Sequence, residues 1–249
     1  MATSGTAARR VKIGRRPRAS ARDVMEILGP EYGPVEWTPR YNPAEELVYT
    51  ILSQHTSDLN SERAFNNLMK TFGSLEAIAE APPEEIEPAI RMGGLARTKA
   101  PRIKAILNLV LGEVGSFDLS FLAEMPLEEA KAWLKKLPGV GPKTAAIILC
   151  FSLGMPAMPV DTHIYRVSQR LGLIRKKINA DKAHDILEPM VAPEDVFAFH
   201  IYLIRHGRAV CKAQRPRCGQ CMIADRCPSA GKFDKPQAKK RKSSPKRAR

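Results

Sequence analysis

Ten successive stretches of the chain place their apolar residues three and four apart, the spacing that gives a helix one buried face, and almost none alternates as a half-buried strand does. They are Glu45–Leu52, Glu62–Phe72, Leu75–Glu80, Pro83–Arg91, Thr98–Val114, Leu119–Glu124, Leu127–Leu137, Lys143–Leu153, Thr162–Leu171 and Ala180–Met190. Gly73, Pro82-Pro83, Gly93-Gly94, Pro138-Gly139, Gly154 and Gly172 punctuate them, as short helix-to-helix turns require. The pattern predicts an all-α fold. With 249 residues, 44% of them hydrophobic, the chain has enough apolar side chains for a sizeable core. No run approaches the roughly 18 to 20 apolar residues of a membrane span, and the start lacks the apolar stretch of a secretory signal. Neither a membrane protein nor an exported one is expected.

Forty Lys and Arg against 26 Asp and Glu give a net charge of +14, which points to a polyanionic partner, either nucleic acid or an anionic membrane surface. Most of that charge sits at the ends. Residues 1–22 carry seven basic side chains and no acid, and residues 229–249 carry nine with only Asp234. The body between them has 24 basic and 25 acidic residues and is nearly neutral. Segments 1–20 and 229–249 hold few large apolar residues, so they are expected to be disordered tails. The Arg-rich start also resembles an organelle transit peptide, although Gly14 and Pro17 interrupt an amphipathic helix there.

The turn Leu137-Pro138-Gly139-Val140-Gly141-Pro142-Lys143-Thr144-Ala145 lies between two amphipathic stretches. Gly139 and Gly141 give its backbone freedom, and Pro142 suits the first turn of the following helix. Free amides at that helix start can take a phosphate oxygen; a tight helix–turn–helix corner with no ligand is the plainer reading. Lys143 stands near the helix start, where the dipole disfavours an ammonium and favours the neutral amine of a nucleophile or Schiff-base former. A solvated surface lysine is the alternative. Asp161, in Val160-Asp161-Thr162-His163-Ile164, is placed as a helix N-cap, and a carboxylate held by backbone amides is also well placed to stabilise positive charge. His163 beside it suits an acid or base, or a hydrogen-bonded structural role.

Cys211, Cys218, Cys221 and Cys227 follow the spacing C-x6-C-x2-C-x5-C, four sulfur donors within 17 residues and a strong signal for a metal site. Structural zinc usually takes two close Cys pairs, whereas one C-x2-C tilts the choice toward a [4Fe–4S] cluster. Two disulfides would need an oxidising compartment. Lys212, Arg215 and Arg217 make the first interval basic and suit phosphate contact. Cys150, in an apolar run, reads as a buried residue.

Taken together, the hairpin, the Asp161 segment and the cysteines resemble the endonuclease III branch of the helix–hairpin–helix DNA glycosylases, from about Asp23 to Pro228. The resemblance implies two lobes flanking a DNA groove. Residues 44–154 form a helical lobe with the hairpin, and residues 21–43 join 155–228 in an iron–sulfur lobe. Lys143 would attack C1′ of a flipped, damaged nucleotide and Asp161 would stabilise the sugar cation. The four cysteines would hold a [4Fe–4S] cluster, the hairpin residues Gly139, Val140 and Gly141 would grip phosphate, and Gln54 and Leu95 would fill the gap left by the flipped base. Pro142, where the family often has a basic residue, and Gln-His-Thr-Ser-Asp, where it often reads Gln-Ala-Thr-Asp, depart from the pattern. The implied activity is a bifunctional DNA glycosylase and AP lyase removing oxidised pyrimidines. The alternatives are a monofunctional glycosylase for mismatched or deaminated bases and a non-catalytic DNA-binding protein. The expected partner is double-stranded DNA bearing damaged bases or abasic sites, met as a monomer, in the cytoplasm and nucleoid of a bacterium or in the nucleus or mitochondria of a eukaryote.

Overall fold

The computed structural model describes residues 18–233, and the remainder of both expected tails lies outside the described residues. Eleven α-helices follow in order: α1 Ala21–Tyr32, α2 Pro43–Ser53, α3 Asp58–Phe72, α4 Leu75–Glu80, α5 Pro83–Ile90, α6 Ala96–Val114, α7 Leu127–Lys135, α8 Pro142–Leu153, α9 Thr162–Leu171, α10 Ala180–Leu187 and α11 Val196–Ala209. Among the described residues there is no strand, and no helix is long and apolar enough to cross a membrane. Local sequence sets the helix starts. Ser20, Asn42, Ser57, Ser74, Asp161 and Asn179 each accept an amide of the first turn, so six helices begin at a capping side chain.

Two lobes form around one continuous apolar core. In the first, α2 packs on α3 and α8, α6 packs on α4 and α5, and α7 packs on α8. In the second, α11 lies between α1 and α9, and α10 touches α9. α8 meets both α10 and α11, so the hairpin helix sits at the junction. The connection from α1 to α2 fastens that junction. Trp37 Nε1 donates to Cys150 O at 2.9 Å, and Arg40 forms a two-pronged ion pair with the fully buried Glu46 while stacking 4.2 Å from the centre of the Tyr49 ring.

Three differences from the sequence reading have physical causes. α11 has no counterpart among the ten periodic stretches, because Val196-Phe197-Ala198-Phe199 and Ile201-Tyr202-Leu203-Ile204 are apolar nearly all round, as suits a helix packed on both sides. Leu119–Glu124 is a 3-10 turn over Ser120–Glu124, and Pro189 lies in a second one, Glu188–Met190, that follows α10. The inner edges of both expected tails are packed. The Ala19 amide bonds Leu171 O at 3.1 Å, and the Phe233 ring lies 4.4 Å from the Arg170 guanidinium.

Candidate active site and cluster loop

The hairpin between α7 and α8 leaves a helix start without a side-chain cap. Gly141 occupies the cap position in extended backbone, and the amides of Gly139, Gly141, Lys143 and Thr144 have no partner among the described residues. These are donors that a polyanion's oxygen atoms can satisfy. Val140 differs from the expectation: its side chain is buried and its amide bonds Leu137 O at 3.1 Å, so it anchors the hairpin instead of facing a ligand. The Lys143 side chain is exposed, at the second position of α8, and makes no hydrogen bond or ion pair among the described residues.

Asp161 caps α9 as expected, its Oδ1 accepting from Ile164 N at 2.7 Å, which leaves Oδ2 without a hydrogen-bond partner among the described residues. The loop leading to it is held by three side chains that the sequence reading did not single out. His184 Nδ1 donates to Met158 O at 2.8 Å, His200 Nδ1 donates to Pro159 O at 2.9 Å, and Glu188 Oε2 accepts from Met158 N at 2.9 Å. A carbonyl only accepts, so both histidines carry their proton on Nδ1. Burial pushes the His200 imidazole down to about 4, opposed by Asp161 and reinforced by Lys143. His200 is therefore neutral, and it feels the charges of both Lys143 and Asp161. Lys143 near the start of α8 and Asp161 at the cap of α9 are thus within electrostatic reach of one buried ring. Burial lowers His184 in the same way.

His163 is structural. Its Nδ1 meets Arg166 Nη2 at 3.1 Å, and it packs so tightly on Gly207 of α11 that a Cβ there would lie 2.9 Å from the His163 Cβ. The absent side chain lets α9 and α11 approach. Arg166 and Arg170, one turn apart on α9, then reach the start of the cysteine loop. Arg166 donates to Gly207 O and Cys211 O, and Arg170 to Lys212 O at 2.7 Å and Ala213 O at 3.0 Å.

On the other lobe, Gln54 ends α2 and its Oε1 accepts from Arg102 Nη1 at 3.0 Å. Leu95 is 57% exposed and left-handed, with φ 52°. His55 and Arg215 are the other two non-glycine residues with positive φ among the described residues. All three strained positions thus fall in segments already marked by sequence for ligand contact.

The four cysteines are unpaired with one another and line one pocket, walled also by Leu171, His206 and Val210. The donor set is all sulfur, which suits iron–sulfur chemistry or zinc. Burial raises the thiols of Cys221, to about 11, and Cys227, so a positively charged centre is needed to draw out their thiolates. His206, which burial lowers to about 4, meets Cys221 Sγ at 3.6 Å and the Tyr32 hydroxyl at 3.2 Å, linking the cavity to α1. Lys212, Arg215 and Arg217 are exposed on the same loop.

Comparison with known proteins agrees with this geometry. Residues 48–193 match the family model of the HhH-GPD superfamily base excision DNA repair protein, and residues 211–227 match the iron–sulfur binding domain of endonuclease III. A candidate DNA glycosylase of Arabidopsis thaliana is 37% identical over 192 residues, which cover 76% of this chain and 65% of that protein, just under two thirds of its length. Endonuclease III of Bacillus subtilis is 36% identical over 194 residues, covering 78% of this chain and 84% of that protein. A solved structure of a trapped endonuclease III–DNA covalent intermediate superposes with a TM-score of 0.71 at 30% identity, covering 86% of this chain and 94% of that one. The chain belongs to the endonuclease III family of the HhH-GPD superfamily, base excision repair enzymes with DNA glycosylase and AP lyase activity, and takes that family's [4Fe–4S] cluster.

Proposed function

We propose that the protein binds double-stranded DNA, removes oxidised pyrimidines and nicks the strand at the resulting abasic site, with Lys143 as nucleophile and Asp161 as its charged partner. What supports this is that buried His200, whose ring holds the loop before Asp161 through Pro159 O, lies within electrostatic reach of both Lys143 and Asp161 where α8 meets α11. Neither group reaches C1′ inside a stacked duplex, so the target nucleotide must flip out. The Lys143 amine then attacks C1′ as the bond from C1′ to the base breaks and the base leaves with the electron pair and a proton. The opened sugar remains joined to Lys143 as a Schiff base. Loss of a C2′ proton expels the 3′ phosphate, and water releases the lysine. Asp161, fixed by the Ile164 amide, offers Oδ2 to the positive charge that develops on the sugar.

The hairpin amides, with Lys212, Arg215 and Arg217, would take backbone phosphates without reading sequence. Cys211, Cys218, Cys221 and Cys227 would hold the cluster, which supplies the covalent centre around which this loop folds. Gln54 and Leu95 would occupy the space of the flipped nucleotide. Borohydride trapping on a duplex with one abasic site tests the central claim. The intact protein should give a covalent adduct and Lys143→Ala none, while both still bind. An intact protein that gives no adduct would remove Lys143 from the role of nucleophile.

A further inference from the structure

Arg102 connects two parts of the proposed DNA surface that lie far apart in sequence. Its Nη1 donates to Gln54 Oε1 at 3.0 Å, and its side chain lies so close along the hairpin that a Cβ on Gly139 would sit 3.2 Å from Arg102 Cδ and 3.3 Å from Nε. Gly139, at φ 79°, tolerates this approach because it has no side chain. The helix behind Arg102 is indexed to the same place. Leu95 stands at the start of α6, and one turn on, buried Lys99 donates to Leu52 O at 2.7 Å and Gly93 O at 2.8 Å, which fixes the end of α2 just before Gln54. Arg102 follows three residues later on the same face of α6.

A guanidinium has five donors and no acceptor, so the atom it meets must be the Gln54 carbonyl oxygen. The amide orientation of Gln54 is thereby set, and its NH2 is the end left for a ligand. We propose that Arg102 is a positioning residue that holds Gln54, donor end outward, in register with the hairpin, so that gripping the backbone and filling the vacated gap occur as one event. The inference rests on the gap-filling role proposed for Gln54.

The test is a double-mutant cycle of Arg102→Ala and Gln54→Ala in the full-length, cluster-loaded protein. It is read as single-turnover excision from a duplex with one oxidised pyrimidine and as fluorescence of 2-aminopurine placed beside the lesion. Each single variant should slow excision at saturating enzyme by about tenfold, and the double variant by no more than about twofold further, because the two residues act through one contact. The half-saturating enzyme concentration should change little, and the 2-aminopurine signal should fall in all three variants. A fold defect alone would not produce that split. Arg102→Lys, with a compact ammonium on a flexible stem in place of the planar fork, should recover only part of the rate. If Arg102→Ala loses its cluster absorbance, Arg102→Gln carries the same cycle. Effects that multiply in the double variant overturn the coupling, and so does full recovery by lysine. Gln54→Ala excising at the normal rate overturns the gap-filling role itself, a failure visible in that variant alone.

Discussion

Removing Arg40 should leave a charge stranded in the core. Glu46 is fully buried, and its only ionic partner among the described residues is Arg40; the Thr50 hydroxyl adds one hydrogen bond of 3.3 Å. Breaking a buried pair from one side costs about 3–5 kcal/mol. Because the Arg40 side chain is 39% exposed, the lower end applies, so Arg40→Ala should cost about 3 kcal/mol at neutral pH. In a domain of this size that lowers the melting temperature by roughly 6–12 °C. The deficit should depend on pH. Burial already holds the Glu46 carboxyl above its ordinary value against the pull of Arg40, and losing the arginine raises it further. A carboxyl raised in the folded state adds stability below its unfolded value, and that stability is lost as pH rises through the folded one. In the variant the folded state therefore keeps a proton that the unfolded chain has released, and the deficit should shrink on acidification, by up to about 1.4 kcal/mol per pH unit. Melts of the cluster-loaded protein from about pH 5.5 to about pH 8 measure it, with Arg40→Ala/Glu46→Gln as the control that abolishes the slope. A deficit of the same size across that range, or a double variant no more stable than Arg40→Ala at the alkaline end, would refute the reasoning.

Other outcomes follow from single contacts. Asp161→Asn keeps a capping oxygen and should leave stability within about 0.5 kcal/mol while excision collapses, whereas Asp161→Ala should lose about 1 kcal/mol as well, read by melting and single-turnover assays side by side. Arg170→Ala removes the charged donors on Lys212 O and Ala213 O, so iron should be lost to a chelator at least several-fold faster, followed by the bleaching of the visible absorbance. Gly207→Ala places a methyl 2.9 Å from the His163 Cβ, which should destabilise by about 1–3 kcal/mol in a denaturant titration.

How much of this the sequence discloses depends on how local each cause is. Asp161 as a cap, the hairpin glycines and the cysteine loop are set by neighbours within a few residues, and spacing reveals them. α11 escapes because periodicity reports a helix only when one side faces water, and α11 is enclosed between α1 and α9. His184, His200, Glu188 and Arg102 escape for a different reason: their partners lie 26, 41, 30 and 48 residues away. A histidine in an apolar run or an arginine on a helix looks the same whether it faces solvent or a distant carbonyl. Val140 departs from the expectation because its amide is taken up inside the turn by Leu137 O, a bond that the spacing of the glycines does not show.

α9 joins two candidate sites that share no atom. Its first turn rests on Asp161, and nine residues later Arg170 holds the backbone of the cysteine loop, a span of roughly 14 Å along a rigid rod. Loosening of the cysteine loop would therefore be passed along α9 to the Asp161 end, while the hairpin, built on the other lobe, keeps its free amides.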